Sequence, residues 1–217
     1  MARQRLTEKI HWLQAQSDSE GFIFADFGTR RRYSRRWHHE MLQQLCQQIP
    51  QHVRGTSNVA LAKELNILPI GTMAHEFIQE CQALGPRLMD AQRFAFETWA
   101  REYRGDLGIA LSDTYSLQAF INDFDLYFCK LFDGARQDSG DPILWGEAII
   151  EHYRNMRVDP KTKNLVFSDN LSLNSAMDIY RRFRDETKVA FGIGTHLSND
   201  TGIDPINIVI KMTECNG

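Results

Sequence analysis

Four carboxylates stand where apolar runs of this chain give way to polar residues: Asp26, Asp113, Asp138 and Asp169. Arginines accompany them at Arg30, Arg31, Arg32 and Arg136, and glycine–threonine pairs recur at Gly28-Thr29, Gly55-Thr56, Gly71-Thr72 and Gly194-Thr195. His75 opens a helical stretch. Glycine–hydroxyl turns at helix starts offer backbone N–H groups and hydroxyls to phosphate oxygens. Arginine grips phosphate or carboxylate through a bidentate fork. Several carboxylates facing phosphates suggest Mg²⁺, which takes one or two protein carboxylates and keeps water. Together these residue types suit a multiply phosphorylated small molecule with an anionic partner.

Each feature also has an ordinary explanation. An arginine run is commonly a solvated face. Gly192-Ile193-Gly194 lacks the third glycine of a dinucleotide fingerprint. A histidine at a helix start often caps or packs, and an aspartate after a strand often caps the next helix. His38, His39, His52 and His152 read as structural or surface residues, and Trp37, Trp99 and Trp145 as packing. The case for chemistry is the repetition at equivalent positions.

The elements that must position these residues alternate. Strand candidates are Phe22 to Phe27, a weak run at His52 to Arg54, Ile67 to Ile70, Gly108 to Leu111, Phe128 to Phe132, Leu165 to Phe167, Val189 to Phe191 and Ile206 to Ile210. Most lead into helical stretches: Arg35 to Gln48, one through Leu65, one carrying His75, Met89 to Tyr103, Trp145 to Met156 behind Pro142, and one to about Arg184. Alternating strands and helices predict a parallel sheet covered by helices, and near-continuous apolar strands agree. An open doubly wound sheet and a closed barrel both fit. The barrel is favoured because polar residues end nearly every strand, and a barrel gathers those ends on one rim, whereas an open sheet uses one or two loops at a switch point.

Bulk properties narrow the classes. At 217 residues the chain can form one large domain, or at most a domain with an appendage, read as a leading helical segment over residues 1–20 and an α/β barrel over 21–217. A formal charge of −3 argues against general nucleic-acid or membrane affinity. No run approaches the roughly 20 apolar residues of a membrane span, and Met1 to Ile10 has no signal-peptide core. Cys46, Cys81, Cys129 and Cys215 are far apart, as in a reduced, cytoplasmic enzyme.

A set of ordered strings carries a resemblance: FGTRRRYS (Phe27 to Ser34), GTSNVALA (Gly55 to Ala62), PIGTMAHE (Pro69 to Glu76), ALSDTYS (Ala110 to Ser116), RQDSGDP (Arg136 to Pro142), FSDNL (Phe167 to Leu171), FGIGTHLSND (Phe191 to Asp200) and NIVIKMTECNG (Asn207 to Gly217). In order and spacing the sequence resembles the bacterial nicotinate phosphoribosyltransferases from about Gly21 onward. The resemblance implies an irregular, TIM-like α/β barrel of the type II phosphoribosyltransferases. It implies ATP-coupled, Mg²⁺-dependent transfer of phosphoribosyl from 5-phosphoribosyl 1-pyrophosphate to nicotinate, a ligase-class step in NAD salvage, by a cytoplasmic homodimer. Relative to the family, the N-terminal part and the lysine–glycine segment that normally follows ECNG are absent. The chain is therefore expected to be a fragment, incomplete at both ends.

The resemblance also implies roles. His75 matches the histidine that ATP phosphorylates, and Asp113 the carboxylate that orients it. Asp138, with Arg136 beside it, matches the carboxylate near the ribose hydroxyls and C1. Asp169, Gly194 and Thr195 match contacts to the ribose 5-phosphate side, with ribose hydroxyls an alternative for Asp169. Phe27 and Arg30 match the pyridine stack and an anion contact. Ser57 stands where nicotinamide-using relatives place an aspartate; a neutral hydroxyl tolerates nicotinate's carboxylate, which an aspartate would repel. The competing readings are a nicotinamide- or quinolinate-using relative and a non-catalytic remnant that binds phosphorylated ligands or a partner subunit.

Overall fold

The computed structural model describes residues 1–206, 208 and 214. Among them are seven strands: β1 (Phe24–Asp26), β2 (Val53–Thr56), β3 (Leu68–Pro69), β4 (Ile109–Leu111), β5 (Gly134–Gln137), β6 (Asn164–Phe167) and β7 (Lys188–Ile193). The helices are α1 (Ala2–Gln14), α2 (Arg35–Gln48), α3 (Val59–Leu65), α4 (His75–Glu80), α5 (Ala91–Tyr103), α6 (Leu117–Asp123), α7 (Leu126–Leu131), α8 (Pro142–Asn155), α9 (Leu173–Phe183) and α10 (Thr195–Ser198). The expected strand at Ile206 to Ile210 falls largely outside the described residues. The chain forms two compact units.

The first unit comprises Met1–Gly71, Phe167–Arg182 and Val189–Ile208. Its strands run in the order β3-β2-β1-β7, and each neighbouring pair is parallel. The register sets Asp26 opposite both Thr56 and Ile193. The residues that follow, Phe27, Ser57 and Gly194, therefore leave the sheet at one edge. Helix α2 begins where the Ser34 hydroxyl accepts from the Trp37 N–H, and it buries Trp37, His38, Met41, Leu42 and Leu45. Its neighbour α1 buries Leu6, Ile10 and Leu13 at a helical spacing. Phe22 stacks on Phe191 with centroids 5.2 Å apart, and Phe191 meets Phe167 at 5.9 Å. Each fully buried phenylalanine of this kind contributes about 1.5–3 kcal/mol.

The second unit comprises Thr72–Val166 and Phe183–Lys188 among the described residues. Here the order is β6-β5-β4, with β4 and β5 parallel and Leu111 opposite Arg136. Gly134 opens β5 at a place that admits no side chain, since a Cβ there would come within 1.9 Å of the Asn164 carbonyl oxygen. The core is an aromatic cluster in which Phe96 meets Phe120, Phe124, Phe128 and Phe132 at 5.5–5.8 Å.

One strand assignment needs correction. The run Phe128 to Phe132 belongs to α7 and the residue that follows it, and the strand is Gly134–Gln137. The Asp125 carboxylate accepts from the N–H groups of Tyr127 and Phe128 and so starts a helix. Phe124, Phe128 and Phe132, four residues apart, then line one side of that turn. The other strands within the described residues shift by at most two residues at their ends, and α8 starts at Pro142 as expected, under an Asp141 cap.

Candidate active site

In the second unit the β4–β5 register does the positioning. Because Leu111 pairs with Arg136, the residues two further on, Asp113 and Asp138, emerge from neighbouring strand ends. His75, the first residue of α4, meets both: Nε2 lies 3.0 Å from Asp113 Oδ1 and Nδ1 lies 3.8 Å from Asp138 Oδ2. Arg136 is buried within β5; it pairs with Asp138 Oδ2 at 3.1 Å and donates to the Met73 carbonyl at 2.9 Å. The Ser139 hydroxyl donates to Asp113 Oδ2 at 2.5 Å.

The scaffold behind this cluster is tied down. The buried Ser112 hydroxyl donates to the Arg136 carbonyl at 2.7 Å and accepts from the Trp145 indole N–H at 2.8 Å. The Gln137 amide donates to the Ser139 and Gly140 carbonyls, both at 3.0 Å. Gly140 has φ +79°, a conformation that glycine adopts without a steric penalty, and Asp141 caps α8 through the N–H groups of Ile143 and Leu144. The Asp138–Asp141 turn is thus fixed on both sides.

Electrostatics follow from this geometry. The hydrogen bond to Asp113 raises the His75 pKa above its usual value; burial opposes the rise, the charges of Asp113 and Asp138 add to it, and Arg136 opposes it. Burial would push Asp113 upward, but the bonds from His75 and Ser139 and the nearby positive charges hold it below the usual carboxylate range. An imidazole held by a carboxylate through one nitrogen, with the other directed elsewhere, is the arrangement of an oriented nucleophile or proton carrier.

The first unit holds the remaining expected residues. The Phe27 N–H donates to the Ile193 carbonyl at 2.9 Å, and the Phe27 ring lies against the bare backbone of Gly192, where a Cβ would come within 2.3 Å of it. Arg30 is exposed on the short 3-10 turn Thr29–Arg31. Ser57 is exposed just past β2, its N–H bonded to the Asp26 carbonyl at 2.8 Å. Asp169 is exposed after β6, and Gly194 and Thr195 lead into α10. A cavity of about 660 Å³ in this unit, lined in part by Arg3, Tyr33, Trp37 and Glu40, includes none of these residues.

Two features were not read from the sequence. Asp26, counted among the strand-end acids, is 1% exposed and spends its carboxylate on internal donors, including His38. Ser139, which closes the Asp113 network, had no signal beyond its place in the RQDSGDP string. Among the described residues, no group of three or more His, Cys, Asp or Glu side chains is arranged to hold a metal ion, and no helix is long and apolar enough to cross a membrane.

Residues 22–217 match the nicotinate phosphoribosyltransferase (NAPRTase) family. The chain belongs to the nicotinate phosphoribosyltransferase family. A nicotinate phosphoribosyltransferase of Bordetella petrii is 58% identical over 215 residues, which is 99% of this chain and 55% of the relative. One from an Acidovorax species is 57% identical, across 99% of this chain and 56% of the relative. The crystal structure of nicotinate phosphoribosyltransferase from Vibrio cholerae matches with a TM-score of 0.92 at 39% identity, covering 97% of this chain and 52% of the other. That from Porphyromonas gingivalis matches with a TM-score of 0.89 at 36% identity, covering 96% and 54%. The α/β barrel class expected from the sequence is the fold shared with these solved nicotinate phosphoribosyltransferases. The chain spans about half the length of the curated relatives it matches.

Proposed function

We propose that this chain carries the phosphorylatable and ribosyl-transfer residues of an ATP-coupled nicotinate phosphoribosyltransferase. The overall reaction joins nicotinate to the phosphoribosyl group of 5-phosphoribosyl 1-pyrophosphate. It yields nicotinate mononucleotide and pyrophosphate while ATP becomes ADP and phosphate, a step of NAD biosynthesis. The observation that carries this reading is His75 held at 3.0 Å by Asp113, with Asp138 3.8 Å from its other nitrogen.

His75 Nδ1 is the nucleophile toward the γ-phosphorus of ATP. The N–P bond forms, the bond to the ADP oxygen breaks, and the Nε2 proton stays on the hydrogen bond to Asp113. Only the neutral imidazole can attack, so the raised His75 pKa makes phosphorylation faster as pH climbs through that value. Asp138 stabilises positive charge that develops at ribose C1, and the ion pair with Arg136 aims that carboxylate. Phe27 supplies a face for the pyridine ring, Arg30 an anion contact, and Ser57 a neutral hydroxyl compatible with nicotinate's carboxylate. Asp169, Gly194 and Thr195 serve the ribose phosphate side.

The expected Mg²⁺ would arrive with pyrophosphate, taking one or two protein carboxylates while water and phosphate oxygens fill the rest. When bound, it neutralises charge on the departing pyrophosphate. The working protein is a cytoplasmic homodimer with no nucleic-acid or membrane partner. The test is turnover with nicotinate, 5-phosphoribosyl 1-pyrophosphate, Mg²⁺ and ATP, in a protein completed to the length of its relatives. Mononucleotide formation with ATP-dependent labelling of His75 supports the reading; tight ligand binding without product would replace it with a binding role.

A further inference from the structure

We propose that Asp26 and His38 form a buried positioning pair that holds the nicotinate-binding turn and Ser57 in register. The proposal deepens the reading above and depends on it for the identity of the ligand.

Asp26 is 1% exposed at the end of β1, while His38 on α2 and Thr56 at the end of β2 are fully buried. Every partner of its carboxylate belongs to a different segment. Oδ1 accepts from the Gly28 N–H at 2.9 Å. Oδ2 accepts from the Thr56 hydroxyl at 2.6 Å and meets His38 Nε2 at 2.6 Å. Its own carbonyl accepts from the Ser57 N–H at 2.8 Å. One residue thereby ties the turn that carries Phe27 and Arg30 to the residue that would face nicotinate's carboxylate.

A buried carboxylate is a costly way to stabilise a core, since a well-packed apolar group of similar volume is often as good or better. It has a property that an apolar group lacks: directional acceptance from several donors at once. That property is what a binding turn needs if the ring of Phe27 and the atoms of Ser57 are to keep a fixed relation. Asp26 to Gly28 is also a local Asx-type bond, which sets the bend of the turn itself. His38 Nδ1 is buried and has no hydrogen-bond partner, so His38 is anchored through Nε2 alone. A bare lone pair there costs less than an unpaired N–H, which assigns the proton to Nε2 as donor to Asp26.

The test uses the protein completed to the length of its relatives and three variants of it: Asp26→Asn, His38→Leu and His38→Gln. Amide hydrogen exchange at Gly28 and Ser57 reads the coupling, and calorimetric titration with nicotinate and, separately, with 5-phosphoribosyl 1-pyrophosphate reads the ligand consequence. In Asp26→Asn the side chain presents an N–H₂ group to donors, so exchange at Gly28 and Ser57 should rise together. Nicotinate affinity should fall roughly tenfold, the loss of about one charge-assisted hydrogen bond, with the phosphoribosyl donor bound as before. His38→Leu should reproduce this, while His38→Gln, which keeps an amide donor, should stay within about twofold of the parent. If Asp26→Asn does not fold, the two His38 variants carry the same comparison. The proposal is overturned if the Leu and Gln variants behave alike, or if exchange rises without a change in nicotinate affinity. Failure of the parent chain to bind nicotinate would instead remove the functional reading, and exchange at the two amides would still decide whether Asp26 couples them.

Discussion

Replacing Asp113 by asparagine isolates the interaction on which the proposed phosphorylation depends. In the parent, Asp113 accepts from His75 at 3.0 Å and from Ser139 at 2.5 Å. The substitution preserves volume but removes the charge and offers an amide donor, so the His75 pKa should fall back toward its ordinary value of 6.5. The stability consequence has a definite sign. His75 is raised, so its contribution is complete below pH 6.5 and is lost as pH climbs through its folded value. Asp113 is lowered, so its contribution is present above its ordinary 3.8 and is lost as pH falls through its folded value. The pair therefore stabilises most between those two ordinary values. Its size is about 1 kcal/mol, well under the roughly 1.5–3 kcal/mol of a charge-assisted bond, because the His75 side chain is 34% exposed and the Asp113 side chain 13%. Urea unfolding of parent and Asp113→Asn at about pH 5.5 and about pH 8.5 should show the gap narrowing at the higher pH. NMR titration of the His75 ring should show the downward shift directly. Phosphorylation of His75 by ATP should slow by on the order of ten- to a hundredfold, since the imidazole loses its orienting partner. A His75 titration curve that is unchanged in Asp113→Asn would refute the assignment of Asp113 as the group that controls this imidazole.

Other perturbations address separate parts of the reading. In a protein completed to the relatives' length, His75→Ala should abolish ATP stimulation of mononucleotide synthesis while leaving some ATP-independent transfer; stimulation that survives intact removes His75 from the coupling role. Ser57→Asp should weaken nicotinate use by about tenfold or more through like-charge repulsion, and an unchanged nicotinate KM would remove Ser57 from the specificity account. Gly192→Ala places a methyl group within 2.3 Å of the Phe27 ring, so it should raise the nicotinate KM with little change for the phosphoribosyl donor; equal loss for both would point to general unfolding instead.

The sequence alone was enough for the class of fold and for the residues to watch. Strand and helix alternation reads directly from apolar runs, caps and turn residues, because those signals are local; Pro142 behind Asp141 is an example. The ordered strings from Phe27 to Asp200 named His75, Asp113, Asp138 and Ser57 before any coordinates, since motif spacing is a one-dimensional property. Local signals failed where two structures compete for one apolar run. Phe128 to Phe132 could be strand or helix by pattern, and the Asp125 cap together with aromatic packing around Phe96 decided for helix. Tertiary structure alone separated carboxylates of identical appearance. Asp26 and Asp113 both stand at the ends of short apolar strands, yet one is enclosed by Gly28, His38 and Thr56 while the other holds a partly exposed His75. What decides between them is which donors the strand register and the helix behind it bring to each oxygen. Hydrogen-bond partners distant in sequence leave no periodic trace along the chain.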